Sequence, residues 1–292
     1  MRKTATAEVP QKTIALGKTT AALVFGGAQH KGATSFLPAR IAQYEREKLF
    51  REQGIIWVAP TRGSVWTSVV VSWFSLQWPP NHFRSPLFVS EKLEVAAAYN
   101  GLIGATIDKA HLRKVFVKDY ADMLYEAPFV LTTEEDNVLP QDTVPQLMKA
   151  IYGCPDCGAE VGGAEWQCPK GHRGFDAVSG LYFMKSDPPI PMAFGNPAEH
   201  KGRWGRIDFH PRSVKAAIKR RSVIEVSGIA MGCALWRKDL FRRVSQPWFA
   251  SPSGWTQDLW FCKKAKSEAK ARFGVHCGVR VGHYNPKTGV LY

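Results

Sequence analysis

The chain has 292 residues, a formal net charge of +14, and 45% hydrophobic and 12% aromatic residues. This composition argues against wholesale disorder, and the length suffices for one large core or two smaller ones. No run of about 18 uncharged apolar residues exists and the first twenty residues lack the apolar heart of a secretory signal, so a soluble cytoplasmic protein without a membrane span is expected.

Residues 1–35 are rich in Thr, Ala, Gly and Lys with little periodicity and read as an extension. Apolar spacing and a closing Gly predict a helix over 37–54. "IIWVAP" (55–60) predicts a buried strand, its unbroken apolar run suiting a sheet covered on both faces. A helix is expected over 66–78, a strand over 87–90 and an Ala-rich helix over 91–109. A third strand, 127–133, delivers a cluster of acids at its carboxyl end, and a helix follows over 140–153. Strand and helix alternate, which predicts an α/β fold with ligands beyond the carboxyl ends of the strands. From residue 153 the pattern breaks into a Cys-rich stretch before sheet-like sequence resumes, giving segments 1–54, 55–152, 153–174 and 175–292.

Three of the six cysteines are clustered. Cys154-x2-Cys157-x10-Cys168-x3-His172 has the ligand spacing of a tetrahedral zinc site, and "CPDCG" and "CPKGH" carry the turn residues that fold two ligands onto one ion. Four protein ligands would close the shell, so this zinc would be structural. The stretch 153–174 is therefore expected to be a small inserted zinc ribbon in a reducing compartment.

"TTEEDN" (132–137) crowds negative charge at a strand end. On a strand, alternate residues share a face, so Glu134 and Asp136 would converge while Glu135 points away. Two oxygen ligands with open positions suit Mg²⁺ or Mn²⁺. The same residues also suit an exposed acidic loop preceding the next helix, where negative charge is favourable. Thr256 stands where it would N-cap a helix with Asp258 in its first turn.

Taken in order, "PTRG", "AAAYN", "TTEEDNVLP", "GLYF", "GCALWRKDLF", "TQDLWFCKKA" and "VGH" resemble a family 2 type glycosyltransferase of the GT-A fold, over about residues 55–285. The resemblance implies a Rossmann-related mixed sheet flanked by helices, with 55–152 binding a nucleoside-diphosphate sugar (taken as UDP-linked) and 175–292 binding the acceptor. It implies metal ligation by Glu134, Asp136 and His283, and nucleotide contacts from Pro60, Thr61, Arg62 and Asn100. Glu134 stands where the family usually has Asp. The resemblance also implies an inverting general base at Asp258, although Gln257 replaces the first acid of the family's pair, and acceptor contacts from Gly232 and Trp255.

Charge is unevenly spread: residues 1–55 carry +5, 56–198 carry −4 and 199–292 carry +13. A basic half suits a polyanion, and Lys215, Lys219, Arg220, Lys263, Lys264, Lys266 and Lys270 would present it phosphate contacts. The acceptor expected on this basis is a hydroxymethylated base in DNA, as for virus-encoded DNA-modifying relatives. A polysaccharide or protein acceptor, or a non-enzymatic nucleic-acid binder built on the zinc ribbon, are the alternatives.

Overall fold

The computed structural model describes residues 13–16, 19–22, 54–79, 84–163, 165–195 and 212–292, the side chains of 13–16, 19–22 and 212–215 excepted. The chain divides into two units, Met1–Glu45 and Arg46–Tyr292. In the first, β1 (Thr13–Leu16) and β2 (Thr19–Ala22) pair antiparallel within a stretch read as lacking periodicity. The helix expected over 37–54 lies outside the described residues, except Gly54.

The second unit is built on a seven-stranded mixed sheet. Its strands are β3 (Ile55–Thr61), β4 (Arg84–Glu91), β5 (Phe129–Thr133), β7 (Ala177–Leu181), β9 (Val223–Val226), β11 (Cys233–Arg237) and β12 (Phe273–Arg280). They lie in the order β4-β3-β5-β11-β7-β12-β9. β3 runs parallel to β4 and β5, and β12 parallel to β7, while β11 is antiparallel between β5 and β7. The sheet therefore draws strands from both sides of the Cys-rich stretch. Two smaller sheets join β8 (Ala193–Phe194) to β10 (Gly228–Ile229), and β6 (Asn137–Val138) to β13 (Gly282–Asn285) and β14 (Val290–Leu291).

Both faces of the large sheet are covered, which explains the unalternating apolar runs. Ile56, Val58, Val130, Ala234 and Trp236 face one core. That layer contains α2 (Val95–Ile107), α3 (Lys109–Val115), α4 (Lys118–Glu126), α6 (Arg212–Arg220), α7 (Lys238–Arg243) and α8 (Gln257–Ala269). The neighbouring residues Ile55, Trp57, Phe129, Leu131, Cys233 and Leu235 face the other core, closed by α1 (Thr67–Phe74) and α5 (Thr143–Tyr152). The helices α3 and α4 occupy a stretch for which the sequence reading assigned nothing. Asp108 caps α3 by accepting from the His111 amide at 3.0 Å.

The parallel strands share one carboxyl edge. Strand order reverses there: from β3 the sheet extends to β4 on one side and to β5 on the other. The crevice between the ends of β3 and β5 is the place where open α/β sheets bind ligands.

Candidate active site and metal cluster

β5 stops at Thr133, so the acids do not lie on an extended strand. The Asn137 amide donates to the Glu134 carbonyl at 3.1 Å, folding Glu134–Asn137 into a turn. The alternation expected for a strand is lost with it. Glu134 and Asp136 engage different partners, and Glu135, expected to face away, is buried against Arg62. Arg62, just past β3, meets Glu135 twice: its amide donates to Oε2 at 2.5 Å and its Nε donates to Oε1. Thr61 shapes that exit, its hydroxyl accepting from the Gly63 amide at 2.8 Å, while Pro60 is buried at the end of β3.

Asp136 is buried and gathers cations. Its Oδ2 takes a hydrogen bond from Lys185 Nζ at 2.5 Å, with Arg62 at 3.7 Å and His283 Nε2 at 3.6 Å. Burial alone would raise its pKa, but His283 and Lys185 outweigh it and hold the carboxyl at about 2. The His283 ring is oriented: a carbonyl can only accept, so its Nδ1–H donates to Phe183 O at 2.7 Å, presenting Nε2 to Asp136. This is the carbonyl-fixed imidazole found behind metal-ligating histidines.

Glu134 goes elsewhere. Its Oε1 accepts from the Tyr99 hydroxyl at 3.1 Å. Burial, reinforced by the charges of Asp136 and Asp258, lifts its carboxyl to about 8. Asp258 thus lies close enough to Glu134 to perturb it. Asp258 sits in the first turn of α8, buried, and accepts from the Leu259 amide at 2.8 Å and from the Thr256 hydroxyl. Thr256 is the N-cap as expected, yet its hydroxyl serves Asp258 rather than a backbone amide. Burial raises the Asp258 pKa in spite of those donors.

Three buried polar atoms in the turn have no protein partner: Asp136 Oδ1 and both amide atoms of Asn137. Orphaned atoms of this kind are rare in folded proteins and mark a missing ligand or water. An ionised oxygen beside a fixed imidazole nitrogen suits a small divalent cation, so Asp136 and His283 fit the implied ion. Glu134, aimed at Tyr99, does not complete a set of three with them: among the described residues, the only cluster of three or more Cys, His and acidic ligands close enough for one ion lies elsewhere.

The remaining expected residues are placed as follows. Asn100 Oδ1 accepts from the amides of Trp248 and Phe249 at 3.0 and 3.1 Å, and its Nδ2 donates to Phe249 O at 2.8 Å. It ties α2 to the loop before α8. A Cβ on Gly232 would collide with Asn137 Oδ1 and lie 2.9 Å from the Tyr182 hydroxyl, so an internal contact accounts for this glycine. Lys263 lies over the Trp255 ring at 4.6 Å, and Lys264 caps the carbonyls of Ser245 and Pro247 at 2.6 and 2.9 Å. Lys219 and Arg220 are exposed on α6, while the side chain of Lys215 falls outside the described residues. Sequence reasoning missed Tyr99, Tyr182, Phe183, Lys185 and the role of Glu135. Tyr99 adjoins Asn100 in a quoted motif, whereas nothing near Lys185 signals its partner 49 residues away.

The second cluster is local. Cys154, Cys157, Cys168 and His172 offer ligand atoms that all lie within 4.8 Å of one another. Cys154 Sγ is 3.8 Å from His172 Nδ1, and Cys157 Sγ is 3.7 Å from Cys168 Sγ. A zinc–sulfur bond of about 2.3 Å implies tetrahedral edges of about 3.8 Å, so the cluster is sized for zinc. Two matching turns build it: the Gly158 amide donates to Cys154 O and the Gly171 amide to Cys168 O, each at 2.8 Å. Both glycines have positive φ, +73° and +78°, which other residues adopt at a cost. Arg272 clamps this ribbon to the sheet, reaching Asp156 at 2.7 Å, the Arg173 carbonyl at 2.8 Å and Glu225 at 2.6 Å.

No protein-family model matches the chain, and no curated protein matches it either. Among solved structures, it is similar to the crystal structure of A197 from STIV, with 12% identity and a TM-score of 0.46 over 81% of this chain and 92% of that one. The molecule is a mixed α/β protein with a seven-stranded sheet flanked by helices and a Cys3His cluster that could hold zinc.

Proposed function

We propose that the chain is a metal-dependent glycosyltransferase moving a sugar from a nucleoside diphosphate, UDP in the first instance, to a hydroxyl acceptor. One observation carries the reading: at the strand-order reversal, Asp136 is held ionised with a buried, unpartnered Oδ1 beside the oriented Nε2 of His283. Those two residues would hold Mn²⁺ or Mg²⁺, and Arg62 and Lys185 stand within reach of the same space. A bound divalent ion would offset the charge that builds on the departing diphosphate. Asp258 would take the proton from the acceptor hydroxyl as it attacks the sugar. A carboxylate of raised pKa is the stronger base, and burial supplies the rise. The +13 charge of residues 199–292 favours a hydroxylated base in DNA as acceptor, with polysaccharide and protein as other arms of the test.

The test is turnover of a panel of sugar nucleotides with and without Mn²⁺, followed by mass spectrometry of hydroxymethylated DNA, a glycan and a protein acceptor. Asp136→Asn should abolish metal-dependent hydrolysis. Asp258→Asn should retain hydrolysis and lose transfer by about 100-fold or more. Absence of metal-dependent turnover with every nucleotide would sink the proposal.

A further inference from the structure

Beneath the C-terminal half of α5 lies an open cavity of about 380 Å³, within the range of small-ligand pockets. Its polar lining is rich in hydrogen-bond donors, with Glu225 as its one carboxylate. Lys149 and Arg221 bring two cations, and Ser222 and Gln146 bring a hydroxyl and an amide. His276, on the α5 face of β12 and only 6% exposed, is the buried polar group of the wall. The Gly278 amide donates to His276 Nδ1 at 3.1 Å, so the ring proton sits on Nε2. Burial, with Arg221 and Lys149 nearby, lowers the His276 pKa and keeps it a neutral donor at pH 7.

The acids around the cavity are already engaged. Glu225 is held at both oxygens by Arg272, at 3.0 and 2.6 Å. Asp142 meets Arg221 at 3.6 Å, but both side chains are well exposed and such pairs are weak. Arg221 is placed at a conformational cost. Its φ is +54°, a left-handed position after α6 that favours glycine. Gly278 makes room for it, since a Cβ there would lie 2.6 Å from Arg221 Cβ. A long cation kept where glycine would be more stable points to use of its charge.

We infer that this cavity binds a phosphate group through Arg221, Lys149 and the His276 Nε2–H. The phosphate would come from a nucleic-acid backbone or from a small phosphorylated molecule. Exposed Lys219 and Arg220 continue the positive surface beside it. The inference is independent of the proposed metal and sugar-nucleotide site, because it uses none of Arg62, Asp136, Lys185, Asp258 and His283.

Full-length protein would be titrated with inorganic pyrophosphate by calorimetry and with a fluorescein-labelled DNA oligonucleotide by anisotropy. Arg221→Gly and Lys149→Glu should each weaken pyrophosphate binding about tenfold, whereas Lys118→Glu, on exposed α4, should change it less than about twofold. Arg221→Gly should at the same time raise Tm, which separates lost binding from lost folding. A parallel fall in DNA affinity would identify the source as nucleic acid. Unchanged DNA affinity with weakened pyrophosphate binding would identify a small phosphorylated ligand. Affinities for both probes indifferent to residues 149 and 221, or equally sensitive to Lys118→Glu, would overturn the assignment.

Discussion

Replacing Glu134 by Gln should remove a pH dependence of stability that the wild-type site imposes on the metal-free protein. Burial and the charges of Asp136 and Asp258 raise the Glu134 carboxyl from 4.5 to about 8. Between those values the unfolded chain has released this proton and the folded chain has kept it. The folded state then binds more protons, so the contribution is complete below about pH 4.5 and fades as pH rises toward 8. At about 1.4 kcal/mol per pH unit, the interval sets a ceiling of about 5 kcal/mol. Glu134 is half-buried and its acidic neighbours can adjust, which brings the expected loss to about 2 kcal/mol. Gln mimics the protonated form and still accepts from Tyr99. Urea unfolding at about pH 5 and about pH 8.5 should therefore show wild type losing about 2 kcal/mol more than Glu134→Gln, or about 4–8 °C in Tm. Two parallel stability curves would refute the placement of a protonated Glu134 among ionised acids.

The Cys cluster should retain about one zinc per chain on purification, measured by elemental analysis. Cys157→Ser should lose that zinc and about 2–4 kcal/mol of stability, and retention of the metal would contradict the assigned ligand set. Gly232→Ala drives a methyl group against Asn137 and Tyr182. It should cost about 1–3 kcal/mol in urea unfolding, and a neutral result would show that the turn yields freely.

Fold and site were legible to different depths because their determinants have different reach. β3 and β5 were readable since burial on both faces forces unbroken apolar runs such as "IIWVAP". The Cys3His cluster was readable since its ligands sit within 19 residues and are closed by local glycine turns. The helices α3 and α4 are short, and α3 owes its start to the Asp108 cap rather than to a long apolar period. The acidic motif announced its charge but not its shape. Whether Thr133 is followed by more strand or by a turn depends on Gly232 and Arg62, which approach from elsewhere in the chain: the Glu134 amide donates to Gly232 O at 3.2 Å, and Arg62 is 73 residues from Glu135.

Those distant partners bear on how the proposed site would load. Glu135 and Asp136 carry two negative charges, and Arg62 and Lys185 bring two positive ones. Glu134, with its carboxyl lifted to about 8, is neutral at pH 7 and adds nothing to that balance. A divalent cation entering alone would face Lys185 and Arg62, and a diphosphate entering alone would face Asp136 and Glu135. Entering together, the cation can take Asp136 Oδ1 while the diphosphate draws off Arg62 and Lys185, so that each incoming charge meets its opposite. On the glycosyltransferase reading, cation and sugar nucleotide should consequently bind with positive coupling. By linkage the coupling must be the same from either side: saturating Mn²⁺ should tighten the nucleotide by the factor by which the nucleotide tightens Mn²⁺. Lys185→Met should shrink that factor by letting the cation bind unaided.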